Sequence, residues 1–326
     1  MESFLFAVNA VIPIILMVIL GYFLKKRGLV TPAMGAALNK LVFRVFLPVM
    51  LFLNVYKITS PGDMDLGYIF YTVIAVVVIF FVSLPLVLLV TKKSRRRGPL
   101  LQGAFRSNFA HIGIPLAMSL FGDDGVATAS LLSALLIPLF NVLAVISLSV
   151  FREGNEKLRV GDIGKGIVKN PLIQAVLLGV VMMFLREGLA AKGVEFDLLK
   201  IELLATPLNY LSNMATPLAL IALGADFEFS AVGEMKKEII FGVAMRTVIV
   251  PACGIGAALL LGIFEGAHFA SFLAAFSTPV AISSVPMAQE MESDSALAGQ
   301  LVVWTTLVSA VTVFLFTFLL KAIGVF

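Results

Sequence analysis

Charge is what this sequence has least of. Only 13% of its 326 residues are Asp, Glu, Lys or Arg, against about 25% in soluble chains. Hydrophobic residues make up 60%, and the mean hydropathy is +1.04. That deficit excludes a water-soluble globule and leaves a polytopic protein of the lipid bilayer. Cysteine is nearly absent as well. Cys253 stands alone in an apolar run, which excludes an intrachain disulfide and a thiolate metal site and reads as a small packing residue. There are two histidines, His111 and His268, no HExxH motif and no nucleophile–base pair, so an intramembrane enzyme lacks its chemistry and no metal site is expected. Without a GxxxxGK[ST] loop the chain does not hydrolyse ATP. No cofactor is expected beyond a coupling H⁺ or Na⁺. No basic patch interleaves with aromatics, which excludes a nucleic-acid role. The start, Met1-Glu2-Ser3, enters a hydrophobic run without a basic segment, so the first run is expected to be retained rather than cleaved.

What is present is a series of hydrophobic runs. A membrane-spanning helix needs about 20 apolar residues, and ten segments qualify: 4–24, 33–56, 66–91, 100–121, 126–151, 166–185, 203–226, 238–264, 268–290 and 294–322. The polar connection from Arg152 to Lys169 divides them into a first half (1–151), a linker (152–165) and a second half (166–326). Basic residues cluster on one side: Lys25, Lys26 and Arg27; Lys92, Lys93, Arg95, Arg96 and Arg97; Arg152, Lys157, Arg159, Lys165 and Lys169; Lys236 and Lys237. The other side carries Lys57, Arg186, Lys192, Lys200 and Lys321. The positive-inside rule makes the first side cytoplasmic and both termini extracytoplasmic. This fits a multi-pass protein of a bacterial inner membrane.

The halves resemble one another. Pro13 and Gly21 match Pro171 and Gly179 at an offset of 158. Pro48 matches Pro217 at 169, and Pro115, Ala117, Asp123 and Ala127 match Pro286, Ala288, Asp294 and Ala298 at 171. Each half crosses an odd number of times, so the second must be inverted relative to the first, the plan of many secondary transporters. The fourth and ninth runs are interrupted at corresponding places: Asn108, His111, Gly113 and Pro115 in one, Thr278, Pro279, Ser283, Ser284 and Pro286 in the other. Unwound backbone survives in lipid only where protein or a water-filled cavity satisfies it, and paired interruptions point to a substrate site. Half-helices starting near Pro115 and Pro286 present N-termini that favour a carboxylate. Asn108, Thr278, Ser283 and Ser284 add neutral hydrogen-bonding groups.

Other residues admit two readings each. His111 is a proton-coupling site or a neutral packing residue. Gln289 and Glu290 are cation ligands or part of a solvated helix end. Arg246 neutralises an anion, or snorkels to the interface and pairs with Asp226. Arg106, near the inner surface, faces either entering anions or headgroups.

Five stretches carry a family resemblance: Leu38 to Phe52, Arg106 to Ala117, Ala215 to Phe227, Ser277 to Glu290 and Asp294 to Thr312. In that order they resemble the auxin efflux carrier family, within the wider group that holds the bile-acid/sodium symporters. The long hydrophilic loop of plant members is missing. The resemblance implies an all-α fold of ten helices in two inverted five-helix repeats, with helices four and nine broken and crossing. Spans one, two, six and seven would form a scaffold, and the rest a transport unit that moves against it like an elevator. The implied function is secondary-active or potential-driven transport of a small organic anion, such as malate, malonate or an auxin-like carboxylate, bound at the crossing. A homodimer through the scaffold is a further implied partner. The alternative is a sodium-coupled symporter of a larger amphipathic anion.

Overall fold

The computed structural model describes residues 2–58, 66–152, 164, 167–262 and 265–325. Most of the proposed linker, with Lys157, Arg159 and Lys165, lies outside the described residues.

Among the described residues every regular element is a helix: α1 (Glu2–Lys26), α2 (Pro32–Leu41), α3 (Leu47–Tyr56), α4 (Leu66–Val90), α5 (Ser94–Phe105), α6 (Ile114–Val150), α7 (Pro171–Ala190), α8 (Glu202–Asp226), α9 (Ala231–Glu234), α10 (Lys236–Ala244), α11 (Val250–Leu261), α12 (Gly266–Ser277), α13 (Ser284–Glu290) and α14 (Ser295–Ala322). Three single π-turns, Val42–Phe46, Phe109–Gly113 and Met245–Ile249, lead directly into α3, α6 and α11. Each of those helices carries a proline, Pro48, Pro115 or Pro251, in its first turn. Proline brings no N–H and its ring presses on the carbonyl four residues back. Widening to an i→i+5 turn absorbs that misfit without ending the helix.

Among the described residues, six helical stretches are long and apolar enough to cross a membrane: 32–56, 67–90, 109–150, 171–190, 236–261 and 295–322. Of the expected ten, the fourth, fifth, seventh and ninth runs differ for physical causes. The ninth run is cut into α12 and α13, of 12 and 7 residues. The fourth is cut after α5, and its second part continues into the fifth through a kink inside α6. There Phe121 and Gly122 leave helical geometry, Gly122 at φ 56°, a conformation that favours glycine. A Cβ on Gly125 would lie 2.1 Å from the Ala117 carbonyl oxygen, so the chain folds back tightly at this point. The seventh run, α8, is long enough but carries Asn209, Asn213 and two prolines, which lower its hydropathy.

Packing is repeat-like. α1 lies along α8 and α3 along α7. In the first pair, a Cβ on Gly21 would meet Ile221 O at 2.2 Å, and one on Gly224 would meet Val18 O at 2.0 Å. In the second, a Cβ on Gly179 would meet Phe52 O at 3.0 Å. Gly21 and Gly179, matched by sequence offset, therefore both sit where two backbones touch. Large apolar side chains cover the outside, among them Leu89, Leu203 and Leu260, each more than 80% exposed. Such a surface belongs in hydrocarbon. Cys253 is exposed on this surface, not packed as its apolar setting implied.

Candidate functional site

The two interrupted runs meet at their breaks. After α5 the chain is extended at Arg106 (φ −91°, ψ 103°), and after α12 it is extended at Thr278 (φ −74°, ψ 154°). Ser107 and Val280 form an isolated antiparallel bridge. Asn108 N–H donates to Pro279 O at 2.7 Å, and Ala281 N–H to Arg106 O at 3.3 Å. Val280 N–H donates to Thr305 Oγ1 of α14 at 3.1 Å. Backbone groups freed by one break are thus satisfied by the other break, which is how unwound chain is tolerated at membrane depth.

Two buried arginines flank this bridge. Arg246, 1% exposed, gives all its hydrogen bonds to carbonyls at the C-terminal ends of the first half-helices. Nε reaches Thr278 O at 2.7 Å, Nη1 reaches Ala104 O at 3.3 Å, and Nη2 reaches Ala275 O at 3.0 Å and Phe276 O at 2.8 Å. A cation where helix dipoles end negatively is electrostatically well placed. The side chain neither reaches the interface nor pairs with Asp226; the chain's turn at 278 brings its partners inward.

Arg106 is also buried, at 3% exposure, well away from headgroups. Its Nη1 donates to Gln102 Oε1 (3.0 Å) and Met287 Sδ (2.7 Å), and its Nη2 to Asn141 Oδ1 (2.8 Å) and Ser283 Oγ (2.9 Å). Every one of these partners is neutral. Arg106 lines a cavity of about 50 Å³ together with Ser107, Asn108, His111, Asn141 and Ser283, and with apolar groups that include Met50, Phe109, Ile137 and Ala219. Asn108 Nδ2 and Ser107 Oγ are buried without a hydrogen-bond partner. The cavity adjoins a wider vestibule of about 410 Å³, sharing Asn54, Ala110 and Ile137 with it and holding Lys57.

Of the residues singled out in the sequence, Asn108, His111 and Ser283 line the cavity. His111 Nε2 and Thr216 Oγ1 of α8 are 2.7 Å apart. The others lie outside its wall. Gly113 makes room for the Phe109 ring, which a Cβ would strike at 2.4 Å. Thr278 Oγ1 turns back to Ala274 O at 2.8 Å, and Pro279 serves through its carbonyl. Ser284 Oγ is buried without a partner, and Pro286 is buried within α13, neither facing the cavity. Pro115 does not begin its half-helix: helical bonding resumes at Phe109, where Ile112 N–H reaches Asn108 O at 3.0 Å. Gln289 and Glu290 sit at the far end of α13. Gln289 Oε1 accepts from Asn39 Nδ2 at 2.5 Å, Asn39 Nδ2 also reaches Asp226 Oδ2 at 3.2 Å, and Glu290 pairs with Arg44 at 3.2 Å. Asn141 and Thr216 were missed by sequence reasoning. The one side-chain amide in the fifth run, Asn141, was the available signal.

A model of the membrane transport protein family matches residues 6–162 and 160–317. An uncharacterized transporter of Methanothermobacter thermautotrophicus is 26% identical over 95% of this chain and 97% of its own length. The uncharacterized transporter MJ1031 of Methanocaldococcus jannaschii is 24% identical over 96% of this chain and 98% of its own length. The chain belongs to this membrane transport protein family, that of the auxin efflux carriers, and is a multi-pass transporter rather than an enzyme.

Proposed function

We propose that the protein is a secondary carrier of a small organic anion whose carboxylate binds where the two broken helices cross. The observation that carries this reading is the cavity at the bridge, walled by Asn108 with an unpartnered buried amide N–H₂. Buried polar groups are otherwise paired, so a ligand with acceptor atoms completes the site. The paired gaps, the glycine contacts of α1 with α8 and α3 with α7, and the matched prolines support two inverted five-helix halves, 1–151 and 166–326. The vestibule opens on the face bearing Lys57, and on the opposite face Asn39–Gln289 and Arg44–Glu290 tie α13 to the scaffold. With the basic loops inside and both termini outside, this is an outward-facing state. Alternation requires α13 to leave its partners on the scaffold, which a rigid displacement of the crossing achieves. A homodimer would leave that motion free if it formed through the scaffold.

The carbonyls at the crossing count against the sodium-coupled reading. A hard cation takes oxygen ligands, and the four carbonyls that converge there already accept from Arg246. Counterflow in proteoliposomes tests the proposal: a carrier accumulates labelled carboxylate against an opposing unlabelled gradient, with or without Na⁺. A flux that merely equilibrates is a channel's and overturns it.

A further inference from the structure

We infer that the scaffold carries a second latch on its outer face, open in this state, in which Ser119 of α6 bonds to Asn209 beside Lys57 when the vestibule closes; this rests on the carrier reading and gives its other state a contact. The closed counterpart is on the opposite face. Asn39 Nδ2 donates to Asp226 Oδ2 at 3.2 Å and to Gln289 Oε1 at 2.5 Å. An ionised carboxylate only accepts, so Asp226 of α8 fixes the Asn39 amide with its N–H₂ turned inward. The second proton of that group then holds α13.

The repeat puts the same parts on the outer face. Asn39 matches Asn209 at an offset of 170, each following a leucine, and each is the eighth residue of its helix, α2 or α8. Lys57 matches Asp226 at 169, the offset of Pro48 and Pro217. The change from 170 to 169 has a structural cause. Between Asn39 and Pro48 the first half takes the π-turn Val42–Phe46, where α8 runs on as α-helix, and an i→i+5 turn takes up one extra residue. The contact repeats as well: Lys57 Nζ donates to Asn209 Oδ1 at 3.5 Å. Because the charge has the opposite sign, the outer amide is turned the other way, with its carbonyl to the cation.

The third member of the outer set stands apart. Gln289 matches Met118 at 171 and Ser119 at 170; the turns that follow correspond at 170, through the positive-φ residues Gly122 and Glu292. Met118 has no donor, whereas Ser119 offers a hydroxyl. An amide oxygen held by a lysine has a second lone pair, and a hydroxyl can fill it. Gln289 therefore enters the inner latch as an acceptor, and Ser119 enters the outer one as a donor. Met118 and Ser119 are both exposed here. The vestibule of about 410 Å³ lies between Lys57 and the α6 residues Ile114, Ser130 and Ser133, and closing it carries α6 towards the scaffold.

Cysteine cross-linking in a Cys253→Ser background tests this, with a short bis-methanethiosulfonate that reductant cleaves. Ser119→Cys with Asn209→Cys should link, as should Asn39→Cys with Gln289→Cys, and each link should arrest counterflow until it is reduced, because each traps one of two states. Gln289→Met, which releases α13, should raise the yield of the outer link about two- to tenfold, the worth of one hydrogen bond. Lys57→Met, which lets the Asn209 amide turn, should lower it. Substitutions that merely loosened the packing would move the yield in one direction. Absence of the outer link where the inner pair links, an outer link that leaves counterflow running, or yields that move together in Gln289→Met and Lys57→Met overturns the inference, and wild-type counterflow would leave the carrier reading standing. Absence of counterflow for every carboxylate in the wild type defeats the carrier reading, while the cross-linking yields still decide the latch.

Discussion

Arg246 and Arg106 are buried almost equally, lie on either side of one β-bridge, and do opposite things. Arg246 is saturated by main chain: four carbonyls from the ends of α5 and α12 converge on it. Arg106 is held by side chains, none charged, and borders a cavity. The difference lies in which half-helix ends each one faces. Where first half-helices end, carbonyls point inward and a fixed cation completes them. Where second half-helices begin, N–H groups point inward, so a cation there adds to an existing positive field and calls for an anion. Burial alone therefore does not distinguish the two arginines; the partner list does.

The largest effect is expected from breaking the structural side. Arg246→Met leaves buried carbonyls without donors, and each orphaned group costs about 1–3 kcal/mol. The crossing should loosen, with a large fall in Tm and loss of all ligand response. Arg106→Met removes an uncompensated buried charge, so its ligand-free Tm should fall far less, by under half the Arg246→Met change. Scanning fluorimetry of both variants side by side measures this. Equal falls would erase the distinction.

Much of this was legible before the fold was known. Pro115, Pro279 and Pro286 mark the interruptions because proline breaks helical hydrogen bonding wherever it falls. Gly21 and Gly179 mark close backbone approach because nothing larger fits. The breaks could be located to within two turns: helical bonding resumed at Phe109, six residues before Pro115. The partners of the arginines were not legible. Arg246 lies ten residues into the run beginning at Lys236, a distance a long stem can span to the interface. Only the fold brings Ala104, from 142 positions earlier, against it. Asn141 reads as a lone amide in a hydrophobic run until the crossing sets it beside Arg106.

A middle-sized effect separates the bridge from the arginines that flank it. Thr305 Oγ1 accepts from Val280 N–H at 3.1 Å and itself donates to Leu301 O at 2.6 Å. Thr305→Val keeps the shape and leaves that buried N–H unpaired, a loss of about 1–3 kcal/mol. Tm should fall by less than in Arg246→Met, and counterflow of a small carboxylate should change little because Asn108 stays in place. Loss of counterflow in Thr305→Val would show that bridge geometry, rather than the cavity wall, controls binding.

A third arginine gives the smallest effect and sharpens the contrast by being exposed. The Arg44 side chain is 62% exposed and its partner Glu290 is 14% exposed, at 3.2 Å across the sealed face. Exposed pairs contribute about 0–1 kcal/mol. Glu290→Gln should therefore loosen the contact of α13 with the scaffold by no more than about fivefold, without moving Tm measurably. Hydrogen exchange reads this locally: amides at 289–293 should exchange up to about fivefold faster, with 275–281 unchanged, whereas Arg246→Met should accelerate 275–281 as well. Asn39 keeps Gln289 in place on the same face, so one lost ion pair does not release the helix. A much larger acceleration in Glu290→Gln would make this exposed pair the principal latch of the sealed face, and the ranking of the three arginines by burial and partner would fail at its lowest member.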